Sequence, residues 1–254
     1  MPSRIPALLP LLVIGLFPFA VWPDCPLPTQ SEPARVTQVI DGDTLELKDN
    51  TRVRLIGINT PEIGRDGKPD DPGARQASAA LREMLAASGW RVRLVADGEG
   101  RDRYGRRLAH LFDDQGRNIS EQLIARGLAY QSPFPANPTF LDCYKRAEDE
   151  ARGSKRGLWS RPPLDAARIK AANTGFARIA GQVKSIGSYR DGLRIKLEGG
   201  LELHIQSEDL PHFEVARLRK LTDQRLEVHG WIYRQQGQPR MRLRHPAAII
   251  SPTL

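Results

Sequence analysis

Cysteine is almost missing from this chain: two residues in 254. That excludes a small scaffold held by a dense disulfide framework. Long hydrophobic runs are missing too, apart from one uncharged stretch over residues 5–23, and this excludes a polytopic membrane protein. Aromatic residues make up only 6%, and no acidic residue follows Glu227. Acids are outnumbered, 30 against 38 Lys and Arg, for a formal net charge of +8. Such a balance favours a polyanionic partner, either nucleic acid or an anionic membrane surface. What is present is ordinary for a folded chain. With 40% hydrophobic and 27% charged residues, wholesale disorder is excluded. The length suffices for one large domain or two small ones.

Arg4 precedes the apolar stretch, which is the order of a secretory signal. Pro6, Pro10 and Pro18 would kink a spanning helix. Residues 1–24 are therefore read as a signal peptide, with a membrane anchor through residues 5–23 as the alternative. The protein is expected to be exported, periplasmic or extracellular. In an exported protein Cys25 and Cys143 suggest one disulfide. Two free thiols and a lipid-modified Cys25 are the other readings.

From Arg35 the pattern is strands and helices. Residues 36–40, 44–48 and 53–58 read as successive strands, with Asp41-Gly42 and Asp49-Asn50 as turns. A helix is predicted over 74–88, where Ala77, Ala80, Leu81, Met84 and Leu85 keep helical spacing. Strands are predicted at 91–95 and 107–112. A second helix starts near Asn118, with Glu121 at capping-box spacing, and stops at Gly127. A third, over 139–151, puts Phe140, Tyr144, Ala147 and Ala151 on one stripe.

Residues 161–174, which open on Arg161-Pro162-Pro163, read as a linker, partly helical. The order then repeats: strands at 177–183, 193–197 and 201–205, a helical segment at 214–221, and strands at 226–233 and 240–243. Three strands, a helix and two strands is the order of the five-stranded Greek-key OB-fold. The predicted architecture is mainly β with helices (α+β): one such barrel over 35–160 and a second, OB-like, over 175–254.

Three short segments carry chemistry. Asp41-Gly42-Asp43-Thr44 sits at a turn between strands. Arg54 lies on a strand whose end delivers Asn59, Thr60, Pro61 and Glu62 into a loop. Asp102-Arg103-Tyr104-Gly105-Arg106 leads into another strand. Singly, each fits an Asp-Gly turn, a surface ion pair or a basic turn. Together, in this order, and with Gly157-Leu158-Trp159, they resemble the staphylococcal nuclease (thermonuclease) family from about Val36 to Trp159.

The resemblance implies a calcium-dependent enzyme that cuts phosphodiesters of DNA and/or RNA and leaves 3'-phosphates. By position it implies Arg54, Glu62 and Arg106 as catalytic residues. Asp43 falls on a calcium-ligating carboxylate, and Thr60 on the residue that lends a backbone carbonyl. Arg103 and Tyr104 are implied near the substrate phosphates. The residue types suit the chemistry: calcium takes hard oxygen ligands, a carboxylate can act as general base, and guanidinium forks hold phosphate oxygens. Asn59 departs from the family, which usually has aspartate there. Its amide oxygen is expected to ligate more weakly, with Asp66, Asp70 or Asp71 either compensating or merely solvated. Tyr130 is not given a substrate role.

Residues 176–254 hold thirteen Lys and Arg against eight Asp and Glu, whereas residues 35–159 hold twenty-one against nineteen. Arg240, Arg242 and Arg244 alternate with Met241 and Leu243. On a strand that is either a stripe tracking a phosphate backbone, with Trp231 or Tyr233 as a stacking surface, or a solvated face. His204, His212, His229 and His245 are read as surface residues, since their spacing matches no metal pattern. The expected partner is a DNA or RNA substrate, with no obligate protein partner and a monomeric state. The rival to an enzyme is a non-catalytic nucleic-acid-binding module on the same fold.

Overall fold

The computed structural model describes residues 25–134, 136–170 and 173–251. The signal or anchor expected at residues 1–24 lies outside them. Glu32–Val39 (β1), Thr44–Leu47 (β2) and Arg52–Leu55 (β3) form an antiparallel meander. The strand expected over 53–58 divides at Gly57, and Gly57–Asn59 (β4) leaves the meander. Gly57 has φ +79°, a conformation that favours glycine, and a Cβ there would stand 2.7 Å from the Tyr144 ring.

Ala74–Ala87 (α1) follows, burying Ala77, Leu81, Met84 and Leu85 as their spacing predicts. Arg91–Val95 (β5) and Arg107–Phe112 (β6) complete the barrel. Its order is β1-β2-β3-β6-β5, closed by β5 on β1 and parallel only between β3 and β6. β6 is buried on both faces rather than alternating, because helices cover its outer side. Ile119–Ala125 (α2) starts on Asn118, whose side chain accepts from Glu121 N at 3.0 Å. Tyr130–Ser132 (β7) pairs with β4, and Leu141–Gly153 (α3) packs on α2. A disulfide joins Cys25 to Cys143, with Cα atoms 5.8 Å apart. It anchors the segment before β1 to α3.

The stretch expected as a linker docks on the second barrel. Leu164–Asp165 (β8) runs parallel to Gly175–Tyr189 (β9), and Ala166 is buried in the second core. Gly192–Leu197 (β10), Glu202–Gln206 (β11), the short helix Val215–Leu218 (α4), Arg225–Gln235 (β12) and Gln238–Arg242 (β13) follow. β12 pairs back on β9, giving the closed order β9-β10-β11-β13-β12, again parallel only once, between β11 and β13. Ile249–Ser251 (β14) adds to β12. Both halves are thus five-stranded OB-type barrels of the same topology.

Two sequence expectations fail here. His204 and His229 are not surface residues: they are 5% and 2% exposed. His229 is sealed between the barrels, 3.7 Å from Glu148 and against Tyr130 and Phe176. Nor is the arginine stripe a free basic face. Arg240 pairs with Glu202 at 3.3 Å, and Arg242 pairs with Asp209 at 2.7 Å and with Glu208. Arg244 lies over the Phe134 ring at 4.8 Å. Neighbouring strands supply acids that the sequence of β13 alone does not reveal.

The barrels meet through a small apolar cluster of Ala151, Trp159 and Ile250, with Tyr130 packed on it. Arg152 donates to Ile250 O at 2.7 Å, and Arg178 lies 4.9 Å over the Trp159 ring. Tyr130 stacks on Phe176 at 5.6 Å.

Candidate active site

Asp41-Gly42-Asp43 turns the chain between β1 and β2. Asp43 N donates to Asp41 Oδ1 at 3.1 Å. A Cβ on Gly42 would lie 2.6 Å from Thr60 Oγ1 and 2.7 Å from Ala77 Cβ, so only glycine lets this turn press against the 60s loop and α1. Asp43 is thereby buried at the centre of a network. Its Oδ1 accepts from Thr44 Oγ1 at 3.1 Å, and its Oδ2 accepts from Thr60 N at 2.8 Å. Arg54 Nη2 pairs with that same Oδ2 at 3.0 Å.

Arg54 does more than face the cleft. It donates to Asn59 Oδ1 and Ile58 O, both at 3.1 Å, and to Leu55 O. Asn59 in turn donates from Nδ2 to Thr60 O at 3.2 Å. The guanidinium on one side and the carbonyl on the other fix which way this amide points. The bidentate hold on phosphate expected of Arg54 therefore competes, in this structure, with Asp43 and Asn59.

Glu62 stands open to the cleft on one side. Loss of water on its protein side, then the charges of Asp43 and Asp41, push its carboxyl up to about 7, with Arg54 opposing. Asp41 was not among the expected site residues. It is buried beside Asp43, and burial followed by the Asp43 charge pushes it up to about 6. The sequence signal was the first acid in Asp41-Gly42-Asp43, which a plain turn equally explains. Among the loop acids, Asp71 accepts from Glu62 N at 3.1 Å, and Asp70 accepts from Gly64 N at 2.9 Å while pairing with Arg75 at 2.6 Å. Asp70 and Asp71 shape the loop that carries Glu62, and Asp66 stays exposed.

Arg106 is aimed by Asp102, which accepts its Nε at 2.7 Å and its backbone N at 3.0 Å. Its Nη1 reaches Thr44 Oγ1 at 3.5 Å. Tyr104 is 68% exposed, with Arg103 bonded to its hydroxyl at 2.6 Å and lying 4.8 Å over its ring. Arg54, Glu62, Arg103, Tyr104 and Arg106 all line one cleft of 1640 Å³, while Asp43, Asn59 and Thr60 are buried. Tyr130 is taken up by the contact between the barrels.

Two carboxyls driven towards their protonated forms beside a third mark a place that gains from positive charge. No three Asp, Glu, His or Cys side chains among the described residues are grouped to hold a metal by themselves. A cation here would need amide and carbonyl oxygens as well, which Asn59 and Thr60 offer and which a hard divalent ion accepts.

The family described as "Staphylococcal nuclease homologue" matches residues 52–161. Over 130 residues the chain is 37% identical to a thermonuclease of Staphylococcus intermedius, covering 50% of this chain and 75% of that protein. It is 33% identical to a thermonuclease of Staphylococcus hyicus over the same length and shares. It is also 31% identical over 129 residues to "Endonuclease YncB" of Bacillus subtilis, covering 49% of this chain and 60% of that one. The barrel order, the buried Asp43 network with Arg54 above it, and these similarities agree: the chain belongs to the staphylococcal nuclease family.

Proposed function

We propose that the protein is an exported, calcium-dependent endonuclease that hydrolyses phosphodiester bonds of DNA and/or RNA to 3'-phosphate ends. The observation that carries this reading is the convergence of Arg54, Glu62 and Arg106 on one cleft above buried Asp43. Glu62, with its carboxyl near 7, is poised to take a proton from an attacking water at neutral pH. Arg106, aimed by Asp102, which accepts from its Nε and its backbone N, meets the phosphate oxygens and offsets the charge that builds on them. Arg54 does the same once the substrate competes for it with Asp43 and Asn59. Arg103 and Tyr104, exposed at the rim, hold the flanking backbone. Calcium held by Asp43, the Asn59 amide oxygen and the Thr60 carbonyl would polarise the phosphoryl group. Export is supported by the pattern of residues 1–24 and by the Cys25–Cys143 disulfide, a bond that persists in oxidising compartments.

The test is digestion of single-stranded DNA with calcium and with chelator, beside Glu62→Gln, with product ends read by mass spectrometry. Expected is calcium-dependent cleavage that falls by roughly a hundredfold or more in the variant. Binding without cleavage at any calcium concentration would instead make this a binding module.

A further inference from the structure

The cleft is not confined to the first barrel. Phe176, Trp231, Tyr233 and Arg244 of the second half wall the same space that holds Arg54, Glu62 and Arg106. Along β12, His229, Trp231 and Tyr233 share the face turned away from the second core. His229 is sealed against Tyr130, but Trp231 is 49% exposed, and Phe176 braces its ring edge-on at 5.8 Å. Large exposed hydrophobic side chains number four among the described residues, and two of them, Tyr104 and Trp231, line this cleft.

Its charge is divided unevenly. Seven arginines against four acidic residues line it, yet Arg242 of the second barrel is held by Asp209 and Glu208. Arg244 of that barrel has no carboxylate partner among the described residues either, but it is half-buried over the Phe134 ring, so the exposed unpaired cations belong to the first barrel. Arg101 and Arg103 are exposed, and their hydrogen bonds go to Gly105 O and the Tyr104 hydroxyl, not to a carboxylate. Cations on one barrel and an exposed aromatic on the other match the two surfaces of a single strand, its phosphates and its base faces. A duplex offers Trp231 nothing, because neighbouring pairs cover its base faces.

We propose that the second barrel is the base-holding wall of an extended single-strand tract. A strand with a phosphate among Arg54, Glu62 and Arg106 continues across the cleft and stacks a base on Trp231. This rests on the nuclease reading above and adds a selectivity to it.

The experiment measures binding of an oligothymidylate of roughly ten nucleotides to the Glu62→Gln protein, which holds the strand without cutting it. Intrinsic fluorescence quenching and Kd are read against salt. In that background Trp231→Ala is expected to weaken binding about tenfold, the loss of one stacked base, with an unchanged salt slope. Trp231→Phe keeps affinity within about threefold because it keeps a ring. Arg103→Ala lowers the salt slope by about 0.7, one phosphate contact. Wild-type affinity in Trp231→Ala overturns the stacking wall and leaves the nuclease reading standing. So does a duplex of the same length that binds as tightly as the single strand. Failure of the Glu62→Gln protein to bind any single strand overturns both readings.

Discussion

Asn59 makes two hydrogen bonds that a carboxylate at its place could not make together: it accepts from Arg54 and donates to Thr60 O. An aspartate would set a carboxylate oxygen against that carbonyl and would need a cation between them. The asparagine supplies its own donor, so this loop is tied down without a metal. Arg54 is the other half of the clamp. It is the charged partner of Asp43, whose side chain is only 2% exposed. Removing one member of a buried pair leaves the other uncompensated, at about 3 kcal/mol or more. Arg54→Ala is thus expected to lower unfolding stability by about 3 kcal/mol in chelator, with added calcium recovering part of the loss. Urea melts with and without calcium check this. Equal stability of variant and wild type in chelator would show that Thr60 N and Thr44 Oγ1 alone satisfy Asp43. The motif residues were legible in the sequence because three short segments follow one another in a fixed order. The clamp was not, since it depends on where Gly57 turns the chain.

At the scale of elements, β6 and α3 share a buried polar contact. His110 lies on β6, 1% exposed, with Nδ1 3.0 Å from the Tyr144 hydroxyl and Nε2 3.2 Å from Asp97. Burial, opposed by Asp97, holds its pKa down at about 4, against 6.5 for a free histidine. Above 6.5 the ring is neutral whether folded or unfolded and contributes no pH dependence. As pH falls from 6.5 towards 4, the unfolded chain takes a proton that the folded one refuses, so stability drops across this window and levels off below it. The loss is on the order of 3 kcal/mol. Urea midpoints followed down in pH should fall more steeply for the wild type than for His110→Asn, and parallel curves would refute this. Elements whose burial follows one period were legible: α1 from its 3.6-residue stripe, and α2 from Asn118 with Glu121. β4 and β7 were not, because each is three residues long and exists only by pairing with the other. The extra length of β9 was not legible for a related reason. Residues 184–189 extend it by pairing with β10, and nothing in their composition demands it.

For the whole molecule, one covalent link spans most of the first half. The Cys25–Cys143 bond closes 118 residues, and by chain entropy it stabilises the fold by up to about 4 to 5 kcal/mol. Reduction should lower the thermal midpoint markedly while leaving the barrel folded, as calorimetry with and without reductant would show. An unchanged midpoint would mean that the unfolded chain gains no freedom when the bond is cut. The two barrels share one topology without sharing residues, and they meet through Tyr130, Trp159, Phe176 and His229. That contact explains why four side chains with functional-looking chemistry, two aromatics beside the nuclease motifs and two in the second half, are structural or face a common cleft.

The sequence by itself determined the strand and helix order of both barrels, and it identified the acid, arginine and glycine motifs of the first. Local periodicity and turn chemistry are properties of neighbouring residues, and a motif is a property of order. Only the tertiary structure decided that Arg240 and Arg242 are neutralised, that Asp41, His204 and His229 are buried, and that Trp231 shares a cleft with Glu62. Each of these is set by residues far apart in the chain, and burial and charge pairing are known only once those residues are brought together.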